Sequence, residues 1–381
     1  MRILLIGELF SDNLGDQLVY ESTKYLLNQI HPNTEFLTLD IMGRSASLSN
    51  CNQSQKHTLK YKCKVLLRDV LRKNPIIDNR VSRFSAKRLI NYYKETIFMH
   101  NIDLAVFTGG QLIKDVFVEY IYVICNLLKS REIPYVFNAV GLGVVSDISV
   151  SRYKEIFETN YLKGISCRSD GKTFNELLFP SHSLAIETFD TAICVSEIYP
   201  IVRTNSEVIV GLGIMNTSRI PQNELIGFWK KIVALLQKSR IKWKMFSTGC
   251  QEDYLLAKKI LEQLQLIEEG DFSNYLLDRP TSTKELVNDI NQFDSIVSFR
   301  LHSHIIAASY GIPSFAIYWD NKQVDFFHKI GRDQFVYKID CKIDNIVSEI
   351  QKSIAHDNRE SNAERINEWI GCAKTVLSQI I

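Results

Sequence analysis

The sequence lacks the features that mark metal centres, disulfide scaffolds and membrane spans. Its eight cysteines form no C-x-x-C pair, and none stands with histidine at the spacing of a zinc site. We therefore interpret them as reduced thiols of a cytoplasmic protein, and we expect neither a bound metal nor a cofactor. No stretch approaches the roughly 18 apolar residues of a membrane span. The opening MRILLIGELF is too short for a signal peptide and predicts a buried strand instead.

The chain also has little net charge and no dinucleotide fingerprint. A charge of +2 over 381 residues gives no reason to expect a nucleic-acid partner. The turn after the first strand lacks G-x-G-x-x-G, which argues against a dinucleotide site there. Apolar residues make up 45% of the chain, as in an ordinary globular protein that can bury large cores. At roughly 100–200 residues per domain, this length predicts two domains.

Short apolar strands alternate with helices in two successive series. The first contains strands at Arg2–Ile6, Glu35–Leu39, Leu104–Thr108, Tyr135–Val140 and Gly164–Arg168, and ends with the Asp190–Val195 stretch. The second contains strands at Glu207–Leu212, Lys242–Ser247, Asp294–Phe299 and Pro313–Ile317, followed by two helices. This alternation predicts an α/β fold of two Rossmann-like, doubly wound parallel sheets. We place the domains at residues 1–198 and 199–381.

Positive charge is concentrated in one segment of the first domain. Residues 51–90 contain eleven lysines or arginines and two aspartates, whereas the whole chain has a net charge of only +2. Within it, the stretch from Lys60 to Lys73 surrounds a short apolar group with basic residues, a pattern typical of a helix lying at an anionic interface. The alternatives are a solvated helical face or a surface that contacts a diphosphate-linked acceptor.

The strongest local signal is Arg300-Leu-His302, which follows an apolar strand and opens a helix. Ligands of open α/β sheets bind beyond the carboxyl ends of strands, where helix N-termini attract anions. A guanidinium at that position suits a carboxylate or a phosphate, and a histidine in the first helical turn can transfer a proton near neutral pH. The alternative is a structural salt bridge of Arg300 with a capping His302.

Two further constellations follow strands of the first series. Asp12-Asn-Leu-Gly-Asp-Gln17 opens the first helix, where Asp16 either caps the helix or presents a carboxylate to a ligand. Arg168 stands at the end of another predicted strand. There it either binds a second anionic group or forms a structural ion pair.

These motifs resemble the pattern of the polysaccharide pyruvyl transferase family. The similarity extends from Met1 to about Gly331, and its specific part is R-x-H at Arg300, the following G-I-P, and D-x-K ending at Lys322. N-x-G-D, the Gly109-Gly110 turn and the strand-end Arg168 add to it. The sequence departs from the family at Gly109-Gly110-Gln111, which stands where three glycines are usual.

The resemblance implies a GT-B-like pair of domains with the active site between them, and phosphoenolpyruvate as co-substrate. The product would be a pyruvyl ketal on a sugar diol during synthesis of exopolysaccharide or capsule. The acceptor would be carried on a lipid diphosphate at the cytoplasmic face of the membrane. The competing interpretation is a GT-B-type glycosyltransferase that uses a nucleotide sugar.

The resemblance and the motifs together predict the site residues. We expect His302, Asp16 and Arg300 to be catalytic, with His302 and Asp16 as acid and base in an order that the sequence leaves open. Arg300 and Arg168 would anchor phosphoenolpyruvate, and the helix that starts at His302 would hold its phosphate. Substrate contacts are expected from Arg168, Arg300, Leu301, Asn13, Gly109, Gly110 and Lys322.

Overall fold

The computed structural model describes residues 1–44, 75–168, 171–179, 185–203, 207–267, 270–355 and 363–381, with 75–80 described by their backbone alone. Most of the basic segment 51–90, including the predicted interfacial helix from Lys60 to Lys73, lies outside these residues. Among the helices described, none combines the length and the apolar character that a membrane span requires.

The chain divides into two compact units, each built on one parallel sheet. The first unit comprises Met1–Ser11, Val19–Thr191 and Gly371–Ile381, and the second comprises Asp12–Leu18 and Ala192–Ile370. This division differs from the predicted domains 1–198 and 199–381 at the boundary, at the chain's end and in the short segment Asp12–Leu18. The last difference matters for function, because that segment carries Asn13 and Asp16.

The first unit has a seven-stranded sheet that includes nearly continuous apolar strands at Arg2–Gly7 and Leu104–Phe107. The strand order is β2-β1-β3-β5-β6-β7, with β4 pairing β5 outside this path. Such runs suit parallel strands, because helices cover both faces of the sheet. The strands are β1 (Arg2–Gly7), β2 (Glu35–Asp40), β3 (Leu104–Phe107), β4 (Gly110–Ile113), β5 (Tyr135–Leu142), β6 (Leu162–Cys167) and β7 (Ala185–Glu187).

Helices of the first unit present apolar stripes at helical spacing. Phe117, Ile121, Ile124 and Leu128 recur every three or four residues along one helix, and all four are buried. Under the sheet, the rings of Phe107 and Phe137 stack with centroids 4.1 Å apart. The helices are α1 (Leu14–Ile30, whose first turn clusters with the second unit), α2 (Pro75–Arg88), α3 (Ile90–Phe98), α4 (Asp115–Ser130), α5 (Asp147–Phe157) and α6 (Gly171–Leu178).

The second unit has a five-stranded sheet in the order β12-β11-β10-β8-β9. Its strands are β8 (Ile209–Gly213), β9 (Lys242–Phe246), β10 (Ser295–Ser298), β11 (Ser314–Ile317) and β12 (Val336–Tyr337). Its helices are α7 (Val195–Ile198), α8 (Gln222–Lys238), α9 (Gln251–Gln263), α10 (Thr283–Asn291), α11 (Leu301–Ser309), α12 (Asn321–Lys329), α13 (Ile343–Ala355) and α14 (Ala363–Ile380, which ends in the first unit). The predicted α/β fold with two parallel-sheet domains is therefore confirmed.

The stretch that ends the first series is not a strand. The Asp190–Val195 stretch forms a 3-10 turn, Thr191–Cys194, that leads into α7, and the last strand of the first sheet is β7 instead. The apolar residues there suggest a strand, but side-chain contacts fix a turn. Asp190 is buried in an ion pair with Arg168, and the Thr191 hydroxyl donates to the Val19 carbonyl at 3.3 Å.

Candidate active site

The strongest sequence motif lies at the carboxyl end of β10, as predicted. The Ser298 hydroxyl accepts the backbone N–H of Arg300 at 3.0 Å and the hydroxyl of Ser303 at 2.8 Å. These bonds close a tight turn, so that Arg300 caps α11 in an extended conformation and the helix begins at Leu301. Arg300 and the N-terminus of α11 therefore lie at the same edge of the sheet.

Arg300 is held by a buried aspartate that the sequence analysis did not identify. Its Nε and Nη2 both donate to one carboxylate oxygen of Asp253, at 2.9 and 2.6 Å. The other oxygen of Asp253 accepts the backbone N–H of Asn216 at 2.8 Å. Asp253 is 1% exposed and the Arg300 side chain 21% exposed, so part of the arginine side chain still reaches solvent. The salt bridge considered for Arg300 thus exists, and it does not bury the whole side chain.

Electrostatics keep this arginine charged. Burial has the largest single effect on the pKa of Arg300 and acts to lower it, but the charges of Asp253, Cys250 and Asp16 and the hydrogen bond to Asp253 together raise the pKa. Burial raises the pKa of Asp253, opposed by the charge of Arg300 and by the N–H of Asn216. A charged guanidinium beside a helix N-terminus is a site for an anion.

The segment Asp12–Leu18 brings the second predicted motif to the same unit. The backbone N–H of Leu14 donates to the Thr248 carbonyl at 3.0 Å, and the Thr248 hydroxyl donates to the Asn13 side chain at 3.3 Å. Asn13 precedes α1 and its amide donates to Asp16 at 3.2 Å. Asp16 lies in the first turn of α1 rather than at the cap, and its charge acts on Arg300.

Gly15 permits a close approach between this segment and His302. A Cβ atom at position 15 would lie 2.1 Å from Nδ1 and 2.4 Å from Cγ of His302, far inside van der Waals contact. Only glycine therefore fits, and the His302 ring lies directly against the first turn of α1. His302, Asp16 and Arg300, the three predicted catalytic residues, are thus gathered in the second unit.

The second histidine of the motif is a core residue. His304 is fully buried, its Nε2 lies 3.0 Å from the Ser298 carbonyl, and its ring packs edge-on against Phe327. Burial lowers the pKa of His304 to about 4, so the ring is neutral at physiological pH. Its partners are structural, which leaves His302 as the histidine available for proton transfer.

A thiol that the sequence analysis passed over lies beside the same charges. Cys250 precedes α9, and the charges of Arg300, Asp253 and Asp16 all act on it. Burial nonetheless raises the pKa of the Cys250 thiol to about 12, so it stays protonated at neutral pH. A protonated thiol is a poor nucleophile.

The predicted contacts downstream of α11 extend the site. Trp319 donates its indole N–H to the Phe299 carbonyl at 2.6 Å, next to Arg300. The Lys322 ammonium lies 4.5 Å from the centroid of that indole ring, in the first turn of α12. Leu301, by contrast, is 5% exposed and packs in the core, so its side chain offers little surface to a substrate.

The remaining predicted residues form a separate group in the first unit. Gly109 and Gly110 both have positive φ angles, 99° and 77°, and a Cβ on Gly109 would meet the Asn138 carbonyl oxygen at 2.9 Å. Arg168 packs against Gly141 and pairs with the buried Asp190. This is the ion pair considered as its alternative role, and substrate binding by Arg168 stays a prediction. Within the residues described, no cluster of His, Cys, Asp or Glu is suited to a metal ion.

Comparison with known proteins identifies the family. The model of the polysaccharide pyruvyl transferase family matches residues 13–321. The match covers most of the chain and includes Asn13, Asp16, Arg300 and His302. The chain therefore belongs to this family, as its motifs indicated. No curated protein sequence matches it significantly.

Solved structures share its fold at low sequence identity. A putative UDP-N-acetylglucosamine 2-epimerase from Listeria monocytogenes has a TM-score of 0.61 and 11% identity, covering 99% of this chain and 94% of that one. The UDP-GlcNAc 2-epimerase from Neisseria meningitidis scores 0.55 with 12% identity, covering 99% and 98%. A spinosyn rhamnosyltransferase complexed with thymidine diphosphate scores 0.55 with 10% identity, covering 99% of each chain. The fold is therefore GT-B-like, as predicted.

The contact between Gly15 and His302 gives a steric prediction. Gly15→Ala should lower kcat by about 10- to 100-fold, because the added methyl displaces the His302 ring and small displacements of catalytic groups are costly. Gly227→Ala is the matched control, since a Cβ there meets nothing within 4 Å. In α8 that change should stabilise the protein by about 1 kcal/mol and leave turnover unchanged. Equal activity of the two variants would contradict the placement of His302.

Proposed function

We propose that this chain transfers the enolpyruvyl group of phosphoenolpyruvate onto a sugar diol and forms a pyruvyl ketal for a cell-surface polysaccharide. The observation that carries the proposal is the grouping of Asp16, Arg300 and His302 at the carboxyl end of β10 in a member of this family. Arg300 and the N-terminus of α11 suit an anionic group of the donor, and His302 and Asp16 suit proton transfer beside it.

The reaction requires one proton donor and one proton acceptor. Protonation of the methylene carbon of phosphoenolpyruvate makes the neighbouring carbon electrophilic, and a sugar hydroxyl attacks it and loses its proton. The bond from that carbon to the phosphate oxygen then breaks, and the second hydroxyl closes the ketal. Inorganic phosphate leaves with the second proton. Arg300 would stabilise the charge on the departing phosphate, and His302 and Asp16 would share the proton transfers.

Ligand-induced stabilisation tests the donor. Phosphoenolpyruvate at about 100 times its Kd should raise the free energy of unfolding by about 2.7 kcal/mol, whereas nucleotide sugars should not. The melting temperature measured with each ligand checks this, with Arg300→Ala as the control that loses the effect. Stabilisation by a nucleotide sugar and none by phosphoenolpyruvate would contradict the proposal and favour a glycosyltransferase.

We also propose that the acceptor is carried on a lipid diphosphate at the cytoplasmic face of the membrane. Support comes from the positive charge of residues 51–90. The protein should then sediment with anionic vesicles but not with neutral ones, and less so as salt screens the attraction. Replacing Lys60, Lys62, Lys64, Arg68 and Arg72 with Gln should abolish sedimentation. Equal sedimentation of this variant and the wild type would exclude the contact.

A further inference from the structure

The second unit contains a cavity on the edge of its sheet opposite to Arg300. The cavity has a volume of about 220 Å³ and lies at the amino end of β11, where Ser314 begins the strand. Ser314 pairs with Ile296 of β10, four residues before Arg300. At ~3.3 Å per residue, the cavity is roughly 13 Å from the candidate active site along the strand direction. It is lined by Ser314, Arg332, Phe335, Glu349, Lys352 and Ser353, among others.

Arg332 lines this cavity, and its guanidinium has no polar partner among the described residues. It is partly buried, and within the described parts of the chain no hydrogen bond or ion pair joins its side chain to another residue. The guanidinium carbon of Arg332 lies 6.0 Å from the centroid of the Phe335 ring. Partly buried arginines ordinarily pair with a carboxylate or a carbonyl, because losing water without compensation is costly.

A second guanidinium, that of Arg365, adds positive charge near Arg332 and does not neutralise the charge of Arg332. Arg365 is anchored by a 2.8 Å hydrogen bond from Nη2 to the Ile330 carbonyl, two residues before Arg332. Burial lowers the pKa of Arg332, and the charge of Arg365 lowers it further. Lys352 also lines the cavity, and the Glu349 carboxylate that accepts from it at 2.7 Å offsets one of the three positive charges. A surplus of positive charge remains around the cavity.

We propose that this cavity binds a small phosphorylated molecule through Arg332. A guanidinium and an ammonium lining one cavity suit a phosphate dianion, which can accept hydrogen bonds on three oxygens. Phe335 supplies an apolar wall against which the carbon skeleton of such a ligand packs. The volume is below the ~300–1,000 Å³ of sites for drug-sized ligands, so the ligand is small. This site is separate from the catalytic one and does not depend on the proposed reaction.

Phosphate binding measured in an Arg300→Gln background isolates the second site. With the active-site arginine removed, titration of inorganic phosphate at constant ionic strength, followed by ³¹P NMR, should still show saturable binding. Adding Arg332→Gln should weaken that binding by at least about tenfold, because a charge-assisted bond to the phosphate is lost. Absence of saturable binding in Arg300→Gln, or unchanged binding after Arg332→Gln, would overturn the proposal.

A variant that is expected to bind phosphate more tightly serves as the control in case Arg332→Gln fails to fold. Glu349→Gln removes the negative charge from the cavity wall and should tighten phosphate binding by about threefold. Lys352→Gln, at a side chain 65% exposed, should weaken it by a similar factor. If Glu349→Gln leaves binding unchanged or weakens it, the cavity does not select anions and the proposal is wrong.

Discussion

Arg300→Ala is expected to lower kcat/KM for phosphoenolpyruvate by about 10- to 150-fold, since a charged hydrogen bond to the donor contributes roughly 1.5–3 kcal/mol. The same change leaves Asp253 buried without its partner, so stability should also fall by about 3–5 kcal/mol. Activity and stability therefore need separate measurements, by steady-state kinetics and by chemical denaturation.

Adding Asp253→Asn separates the two effects. The neutral amide removes the isolated buried charge, so Arg300→Ala/Asp253→Asn should recover part of the lost stability without recovering activity. Asp253→Asn alone keeps the guanidinium of Arg300 but holds its orientation less firmly. We expect this variant to lose about tenfold in kcat/KM, less than Arg300→Ala. If turnover returns together with stability in the double variant, Arg300 is only a structural ion-pair partner.

His302→Asn is the second change with a large expected effect. Removing a general acid or base typically costs about 100- to 10,000-fold in rate, and one limb of the pH–rate profile should flatten. His304→Gln is the comparison, because its imidazole has a pKa of about 4 and is bonded to the Ser298 carbonyl. The His304→Gln variant should lose stability but keep both limbs of the pH–rate profile.

Kinetics of phosphate release across the pH range check both histidine variants. A flattened profile in His304→Gln and a normal one in His302→Asn would reverse the assignment. That outcome would require the buried ring to exchange protons with the substrate, which its lack of exposure opposes.

Local patterns in the sequence were sufficient to predict nine of the twelve strands in the described parts of the chain, whereas β4, β7 and β12 were missed. The run Arg2–Ile6 has apolar residues on both faces, and only parallel strands covered by helices bury both. The turn at Arg300 was also predictable, because ligands of open α/β sheets bind at the edge where strands end and helices begin. The apolar residues of Asp190–Val195 suggested a strand, but they belong to a turn and a helix.

Partners distant in the sequence were not predictable. Asp253 lies 47 residues before Arg300 and approaches it only because the parallel strands β9, which precedes α9, and β10 end at the same edge of the sheet. Similarly, nothing local shows that Asp12–Leu18 packs with the second unit, since strand, loop and helix are continuous through it. The acid in the first turn of α9 was a usable signal, because carboxylates there lie at the same sheet edge as Arg300.

The hydrogen bond from Trp319 to the Phe299 carbonyl makes the fluorescence of this tryptophan a reporter of the candidate site. The indole is joined to the peptide next to Arg300, and Lys322 and Arg219 lie 4.5 and 5.2 Å from its ring centroid. Indole emission responds to nearby charge and to hydrogen bonding at its nitrogen. An anion that binds at Arg300 and interacts with these cations should therefore shift the emission maximum of Trp319. The occupancy of the site can then be followed in real time without a label.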